Sequence, residues 1–328
     1  MLRMDGFAFH KANSAQEAVD MWYSLDTPRY IAGGTDLLPN LKHRIVSPSN
    51  LIGISSALPV GWHESESEIV IGAGTKLSDL SQFDPCPALG QAASLVASPQ
   101  IRNMATLGGN ILLDTRCLFY NQSEFWRRSL GYCLKAEGDW CHVIGSPKTC
   151  VATQSSDTVP VLLTLNASIQ VIGRTGPREI LLRDLYRFNG MDHLKLEPGD
   201  LLTEVRIPKP KQGHRSIYRK VRTRGSIDFP QLGIAISGTF RHSSDTVVAD
   251  SLDIVIGAIN PQPRPIRKIE PFFGVALTDA TIDSIAQLVH KQTRPVASVH
   301  GETAWRRKMA EIHTRRALLT LRDDSLSL

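Results

Sequence analysis

Four of the five cysteines in this 328-residue chain fall within 34 residues, at Cys117, Cys133, Cys141 and Cys150. Only Cys86 lies outside that window. The segment DTRCLFYNQSEFWRRSLGYCLKAEGDWCHVIGSPKTC is polar and broken by Gly and Pro, and it interrupts apolar, periodic text on both sides. It therefore reads as an inserted loop, with one short helix near SEFWRRSL. Clustered thiols point to a shared ligand, because four thiolates fill the coordination sphere of one metal centre. The spacings of 16, 8 and 9 match neither the short pairs of structural zinc sites nor the ferredoxin patterns. From spacing alone, a metal centre, structural disulfides and unrelated buried cysteines all stay open.

Hydrophobic content of 42% and charged content of 21% describe an ordinary globular chain, long enough for about two domains. No apolar run approaches the roughly 20 residues that span a bilayer. The start MLRMDGFAFHKANSAQEAVDMW lacks the basic-then-apolar form of a secretory signal, so a cytoplasmic protein is expected. A reducing compartment argues against disulfides. Between Arg206 and Arg224 there are eight Lys or Arg and no acid, read as a solvated linker or domain edge. No recognition motif accompanies that charge, which excludes nucleic-acid binding as a working idea.

The first 60 residues read as a small α/β unit. Ser14 is placed to cap a helix through AQEAVDMWYSL, with Glu17 completing a capping box. IVIGAGTKLSDLSQF repeats the grammar of strand, glycine turn and helix. After the cysteine segment, VPVLLTL reads as a helix, followed by an alternating strand. QLGIAISGTFR and VADSLDIVIGAIN read as antiparallel strands, and two amphipathic helices close the chain. A boundary is placed in RIPKPKQGHR, giving domains at 1–213 and 214–328 with the insertion at about 114–152.

Two glycine loops carry the chemistry. Ala32-Gly33-Gly34-Thr35-Asp36 sits where a strand hands over to a helix, so its backbone amides can close on an anion. Thr106-Leu107-Gly108-Gly109-Asn110 can do the same. Neither is a dinucleotide fingerprint or a P-loop. Two such loops suit a dinucleotide pyrophosphate, although a single Gly-Gly turn is usually only a turn.

These loops and their order resemble the FAD-binding subunits of molybdenum hydroxylases, the xanthine oxidase group. The resemblance implies an α+β fold: a two-subdomain FAD-binding domain, then a C-terminal domain with a three-stranded antiparallel sheet and helices. It implies that Ala32 to Asp36, Leu37 after them, and Thr106 to Asn110 (with Leu107, Gly108 and Gly109) hold FAD. Thr75, Val96, Asp157, Leu202 and Lys220 match further cofactor positions, with core packing or capping as the plain alternative for each. The stretch around Gln231 departs from xanthine oxidase, which has a lysine nearby.

The insertion resembles that of the β subunit of 4-hydroxybenzoyl-CoA reductase. That resemblance implies a [4Fe–4S] cluster on Cys117, Cys133, Cys141 and Cys150. It further implies a relay subunit that takes electrons from ferredoxin and passes them through FAD. Its partners would be a small subunit with two [2Fe–2S] clusters and a large molybdenum subunit, in an α2β2γ2 assembly that converts 4-hydroxybenzoyl-CoA to benzoyl-CoA. An oxidising molybdenum hydroxylase acting on another aromatic or heterocyclic substrate is the alternative. His142 is expected to stay outside the ligand set, and Cys86 to be a spare thiol.

Overall fold

The structure, a computed structural model, describes residues 3–243 and 246–326. Residues 1–2 and 327–328, at the outer limits of the expected domains, lie outside it. The chain opens with β1 (Ala8–Lys11), α1 (Ala15–Ser24), β2 (Pro28–Ile31), α2 (Leu37–Lys42) and β3 (Asn50–Gly53). Both outer strands run parallel to β3, in the order β1-β3-β2. Helix α1 starts where the sequence places it: the Glu17 N–H donates to Ser14 Oγ at 3.1 Å. The Glu17 carboxylate accepts from the N–H of Asn13 at 2.7 Å, one residue before the cap, so the expected box is offset.

The second unit contains β4 (Trp62–Glu64), β5 (Glu68–Gly72), α3 (Leu77–Leu80), α4 (Pro87–Ser94), α5 (Pro99–Arg102) and α6 (Leu107–Ile111). The insertion follows with α7 (Glu124–Ser129). Then come α8 (Thr158–Thr164), β6 (Ser168–Gly173), β7 (Gly176–Leu181), α9 (Leu182–Leu185) and β8 (Leu201–Pro208). The five strands form one antiparallel sheet, β4-β5-β8-β6-β7.

The expected order of strand, glycine turn and helix is present here as β5, the 73–76 turn and α3, without the parallel strand pairing of the first unit. β5 is an antiparallel strand, and only a four-residue helix follows it. Its glycines serve packing: a Cβ at Gly72 would lie 2.3 Å from the Pro59 carbonyl oxygen. Backbone crosses at that point, so no larger residue fits.

The last unit is built on β9 (His214–Val221), β10 (Leu232–Ser243) and β11 (Thr246–Gly257), paired antiparallel. Two-residue strands β12 (Arg264–Pro265) and β13 (Val275–Ala276) extend the expected three-stranded sheet along β11. Helices α10 (Asp279–Gln292) and α11 (Thr303–Leu326) bury Ile282, Ile285, Val289, Ala317 and Leu318 with the sheet's apolar residues. The basic run spans β8, β9 and the segments beside them, and four of its eight cations are ion-paired: Arg206 with Glu68 and Glu204, Lys209 with Glu64, Lys220 with Asp157 and Arg224 with Asp228.

This unit is fastened to the others by hydrogen bonds from its sheet. The Tyr218 N–H donates to Gln91 Oε1 at 3.0 Å, and Ser237 Oγ donates to the Thr164 carbonyl at 2.9 Å.

The insertion is anchored at several points. Its ends pair through Arg116 and Thr153, whose N–H groups donate to each other's carbonyls at 3.0 and 2.7 Å. The Leu118 N–H reaches the Ser298 carbonyl of the last unit at 2.9 Å. Buried Arg127 donates to the carbonyls of Gln122 and Arg44 and to Glu124, tying α7 to the end of α2. Among the described residues no helix is long and apolar enough to cross a membrane.

Candidate functional site

A cleft of about 1430 Å³ runs past both glycine loops. It exceeds the about 300–1,000 Å³ of common small-molecule sites and suits an extended ligand. Its lining includes Ala32 to Leu37, Val96, Thr106, Gly108, Gly109, Asn110, Asp157, Leu202 and Lys220. Thr75 and Leu107 are not in that lining. Thr75 turns its hydroxyl to the carbonyls of Gly72 and Gly61, at 2.7 and 3.0 Å. Leu107 is fully buried in the core.

The two loops meet each other. A Cβ at Gly33 would lie 1.9 Å from the Met104 carbonyl oxygen, just ahead of the second loop. Gly34 has φ +70°, which turns the chain into α2. Among the described residues the N–H groups of Gly33 to Asp36 donate to no protein acceptor, so they remain open to a ligand. The second loop differs. The N–H groups of Leu107 and Gly108 bond the carbonyls of Thr75 and Ala73, and those of Gly109 and Asn110 return to Thr106. Asn110 Oδ1 accepts from Ser156 and Thr158 hydroxyls at 2.6 and 2.7 Å. Helices α2 and α6 have only six and five residues, so individual amides matter here more than a summed helix dipole.

Opposite charges are held in the cleft wall. Lys220 Nζ donates to Asp157 Oδ2 at 2.8 Å and to the Leu95 carbonyl at 2.9 Å. The Tyr218 hydroxyl donates to Asp157 Oδ1 at 2.7 Å. Burial pushes the Asp157 carboxyl up, against the pull of Lys220 and Tyr218. Arg116 Nη2 donates to Asp36 Oδ2 at 2.9 Å, joining the first loop to the root of the insertion.

Sequence reasoning missed several cleft residues. His193 donates through its Nε2–H to the Leu113 carbonyl (3.1 Å), and burial lowers its imidazole to about 4. Ile227, Asp228 and Phe229 also line the cleft, with the Ile227 N–H bonded to the Ala97 carbonyl at 3.0 Å. Nothing local marked either segment as a site. Tyr120 and Lys135 come from the insertion, and their closeness to cysteines was the available signal.

The four clustered cysteines are buried and unpaired, and they line one small cavity with Phe119, Leu134, Lys135 and His142. Among the described residues no three His, Cys, Asp or Glu side chains converge as they would around a single ion. The Ala152 N–H donates to Cys150 Sγ at 3.4 Å, and a Cβ at Gly190 would lie 2.8 Å from that sulfur. Burial pushes the Cys150 thiol up to about 11 and raises that of Cys117. One ring nitrogen of His142 is engaged by the Tyr132 carbonyl at 2.8 Å. Cys86 lies apart in the core, its thiol pushed up to about 12 by burial, so it is a poor nucleophile.

Residues 5–210 match the family described as FAD binding domain in molybdopterin dehydrogenase, and residues 216–321 match the CO dehydrogenase flavoprotein C-terminal domain. The chain belongs to the FAD-binding medium subunits of the molybdenum hydroxylase family. It is 28% identical to the carbon monoxide dehydrogenase medium chain of Afipia carboxidovorans over 95% of both chains. The aldehyde oxidoreductase FAD-binding subunit PaoB of Escherichia coli is 33% identical over 71% of this chain and 77% of its own. The fold matches that of reconstituted CO dehydrogenase from Oligotropha carboxidovorans, with a TM-score of 0.77, 26% identity and coverage of 97% and 98%.

FAD is thus the cofactor of this family's first domain. The open amides of Gly33 to Asp36 and the long cleft fit its diphosphate and its length. The molecule is the FAD subunit of a molybdenum hydroxylase-type oxidoreductase.

Proposed function

We propose that this FAD subunit is an electron relay that also carries a [4Fe–4S] cluster on Cys117, Cys133, Cys141 and Cys150. One observation carries the reading: four buried, unpaired thiols from one insertion line a single cavity, and Leu134 and Lys135 belong to its wall and to the cleft wall alike. The donor set fits such a cluster, which takes four thiolates. Four thiolates around one zinc ion would instead converge to about 3.8 Å of one another. FAD exchanges electron pairs or single electrons, whereas a cluster passes one at a time, so the pair links one-electron carriers to two-electron chemistry.

The chain's own residues bind and orient. Gly33 to Asp36 offer amides to the diphosphate, Asn110 and Asp157 hold the opposite wall, and Lys220 fixes Asp157. Val96 and Leu202 supply apolar surface in the cleft. The division at 213/214 and the insertion limits of 114–152 belong to this reading.

The substrate would be turned over on a partner. We assign as partners a large molybdenum subunit and a small subunit with two [2Fe–2S] clusters, in a cytoplasmic complex. The relatives, named for carbon monoxide and aldehyde chemistry, favour an oxidising hydroxylase for the complex. The insertion favours the narrower reading: ferredoxin-driven reductive dehydroxylation of 4-hydroxybenzoyl-CoA to benzoyl-CoA.

The test is iron, acid-labile sulfide, zinc and FAD per chain on one anaerobic preparation of the complex. Four irons and four sulfides beyond those of the small subunit, with one FAD, support the relay. FAD with no extra iron removes the cluster. Zinc with neither FAD nor sulfide removes the relay altogether.

A further inference from the structure

We infer that Lys135 is a positioning cation for the group held by the four cysteines: its fixed ammonium, set between the cysteine cavity and the FAD cleft, favours that group's more reduced and more negative state. This rests on the cluster reading above and adds a residue to it.

The geometry is specific. Lys135 is two residues after Cys133, and its side chain is 6% exposed. Its Nζ donates to Asp114 Oδ1 at 2.7 Å, Thr115 Oγ1 at 2.6 Å and the Gly190 carbonyl at 2.7 Å. Three acceptors match the three protons of an ammonium, so the group is held in place. Gly190 in turn donates its N–H to the Cys150 carbonyl at 2.8 Å, coupling the lysine's anchor to a cysteine. The ammonium also sits 5.0 Å from the Tyr120 ring centroid. Tyr120 packs with Cys117, Cys133 and Cys150 on one side and lines the cleft on the other.

Charge explains the consequence. One-electron reduction by an external reductant adds one negative charge to the cysteine-held group. A buried positive charge nearby stabilises that added charge, because attraction through protein is screened less than through water. Asp114, the counter-ion, is 39% exposed, so water screens it more than the lysine and cancellation is incomplete.

The experiment compares the intact complex with Lys135→Met, Lys135→Arg and Asp114→Asn forms. Each is titrated with dithionite and mediators, and the four-iron signal is followed by low-temperature EPR. Iron and sulfide are counted on the same samples. Lys135→Met is expected to disfavour reduction about tenfold, a fall of about 59 mV for one electron. Asp114→Asn should shift it the opposite way, and Lys135→Arg should stay near the parent.

A merely structural lysine would move Lys135→Met and Asp114→Asn in the same direction, which overturns the inference. A loaded Lys135→Met complex with an unchanged potential also overturns it. Should Lys135→Met not accumulate, an unchanged potential in Asp114→Asn overturns it and a raised one supports it. A parent complex without the extra iron and sulfide removes the cluster reading, and this inference with it.

Discussion

The two glycine loops look alike in sequence and behave differently in the fold. Among the described residues Gly33 to Asp36 leave four consecutive amides without a protein acceptor, whereas Leu107 to Asn110 have committed theirs to Ala73, Thr75 and Thr106. The first loop is built to receive a ligand. The second is a braced wall, locked to the 156–158 segment through Asn110. A Gly-Gly pair therefore does not announce a ligand. It announces that backbone comes close to something, and the partner can be a phosphate or another stretch of chain.

Gly33→Ala breaks the comparison most severely. The added methyl would overlap the Met104 carbonyl, forcing the loops apart. A loss of about 3 kcal/mol, the top of the usual range for overpacking, is expected, with FAD lost as well. Thermal unfolding and flavin content, measured on one sample, check it; a stable, fully flavinated variant would show that the loops need not touch.

Asn110→Ala tests the bracing of the second loop. It leaves the buried Ser156 and Thr158 hydroxyls without their shared acceptor, which costs about 2–3 kcal/mol. Denaturant unfolding of the flavin-free chain would reveal it. Equal stability to the parent would mean that the second loop is held by its backbone bonds alone.

A pH series reads the cleft wall at His193. His193 is neutral in the fold, with its imidazole lowered to about 4 by burial, while the unfolded chain binds a proton near 6.5. Between those values the unfolded state holds more protons, so stability rises with pH and is lost as pH falls from about 6.5 towards 4. About 1–2 kcal/mol should disappear between pH 7 and pH 5. A His193→Gln variant should lose that part of the slope, and a slope that persists unchanged would assign it to other groups.

Gly109→Ala has the smallest effect on the fold and sharpens the comparison furthest. Its Cβ would meet only Thr106 Oγ1, at 3.1 Å. Stability should stay within about 1 kcal/mol of the parent, since alanine is the better helix residue. FAD affinity should nonetheless fall, because the methyl would project into the space of the cleft. Unchanged affinity would mean that the cofactor does not approach this loop.

Much of the architecture could be read locally. The Ser14 cap, the alternation of β10 and β11, and the polar insertion with its short helix each follow from side-chain chemistry within a few residues. The glycine turn before Thr75 was legible as a turn between strand and helix, whereas what packs against it was not. The Pro59 backbone lies against both of its glycines: a Cβ at Gly72 or Gly74 would come within 2.3 or 2.9 Å of the Pro59 carbonyl oxygen. The cleft was only partly legible. The glycine loops, Asp157 and Lys220 carried residue types that suggest a site, whereas His193 and the 227–229 segment carried none.

By itself the sequence determined where the chain turns, which residues are apolar in strand or helix rhythm, and that four thiols share one polar insertion. Those properties depend on neighbours along the chain. Only the tertiary structure decided which amides stay unpaired, that Gly33 exists for the sake of Met104, and that Lys135 stands between two cavities. Hydrogen-bond satisfaction and burial are set by whatever crosses in space, often a hundred residues away, and no local spacing encodes that crossing.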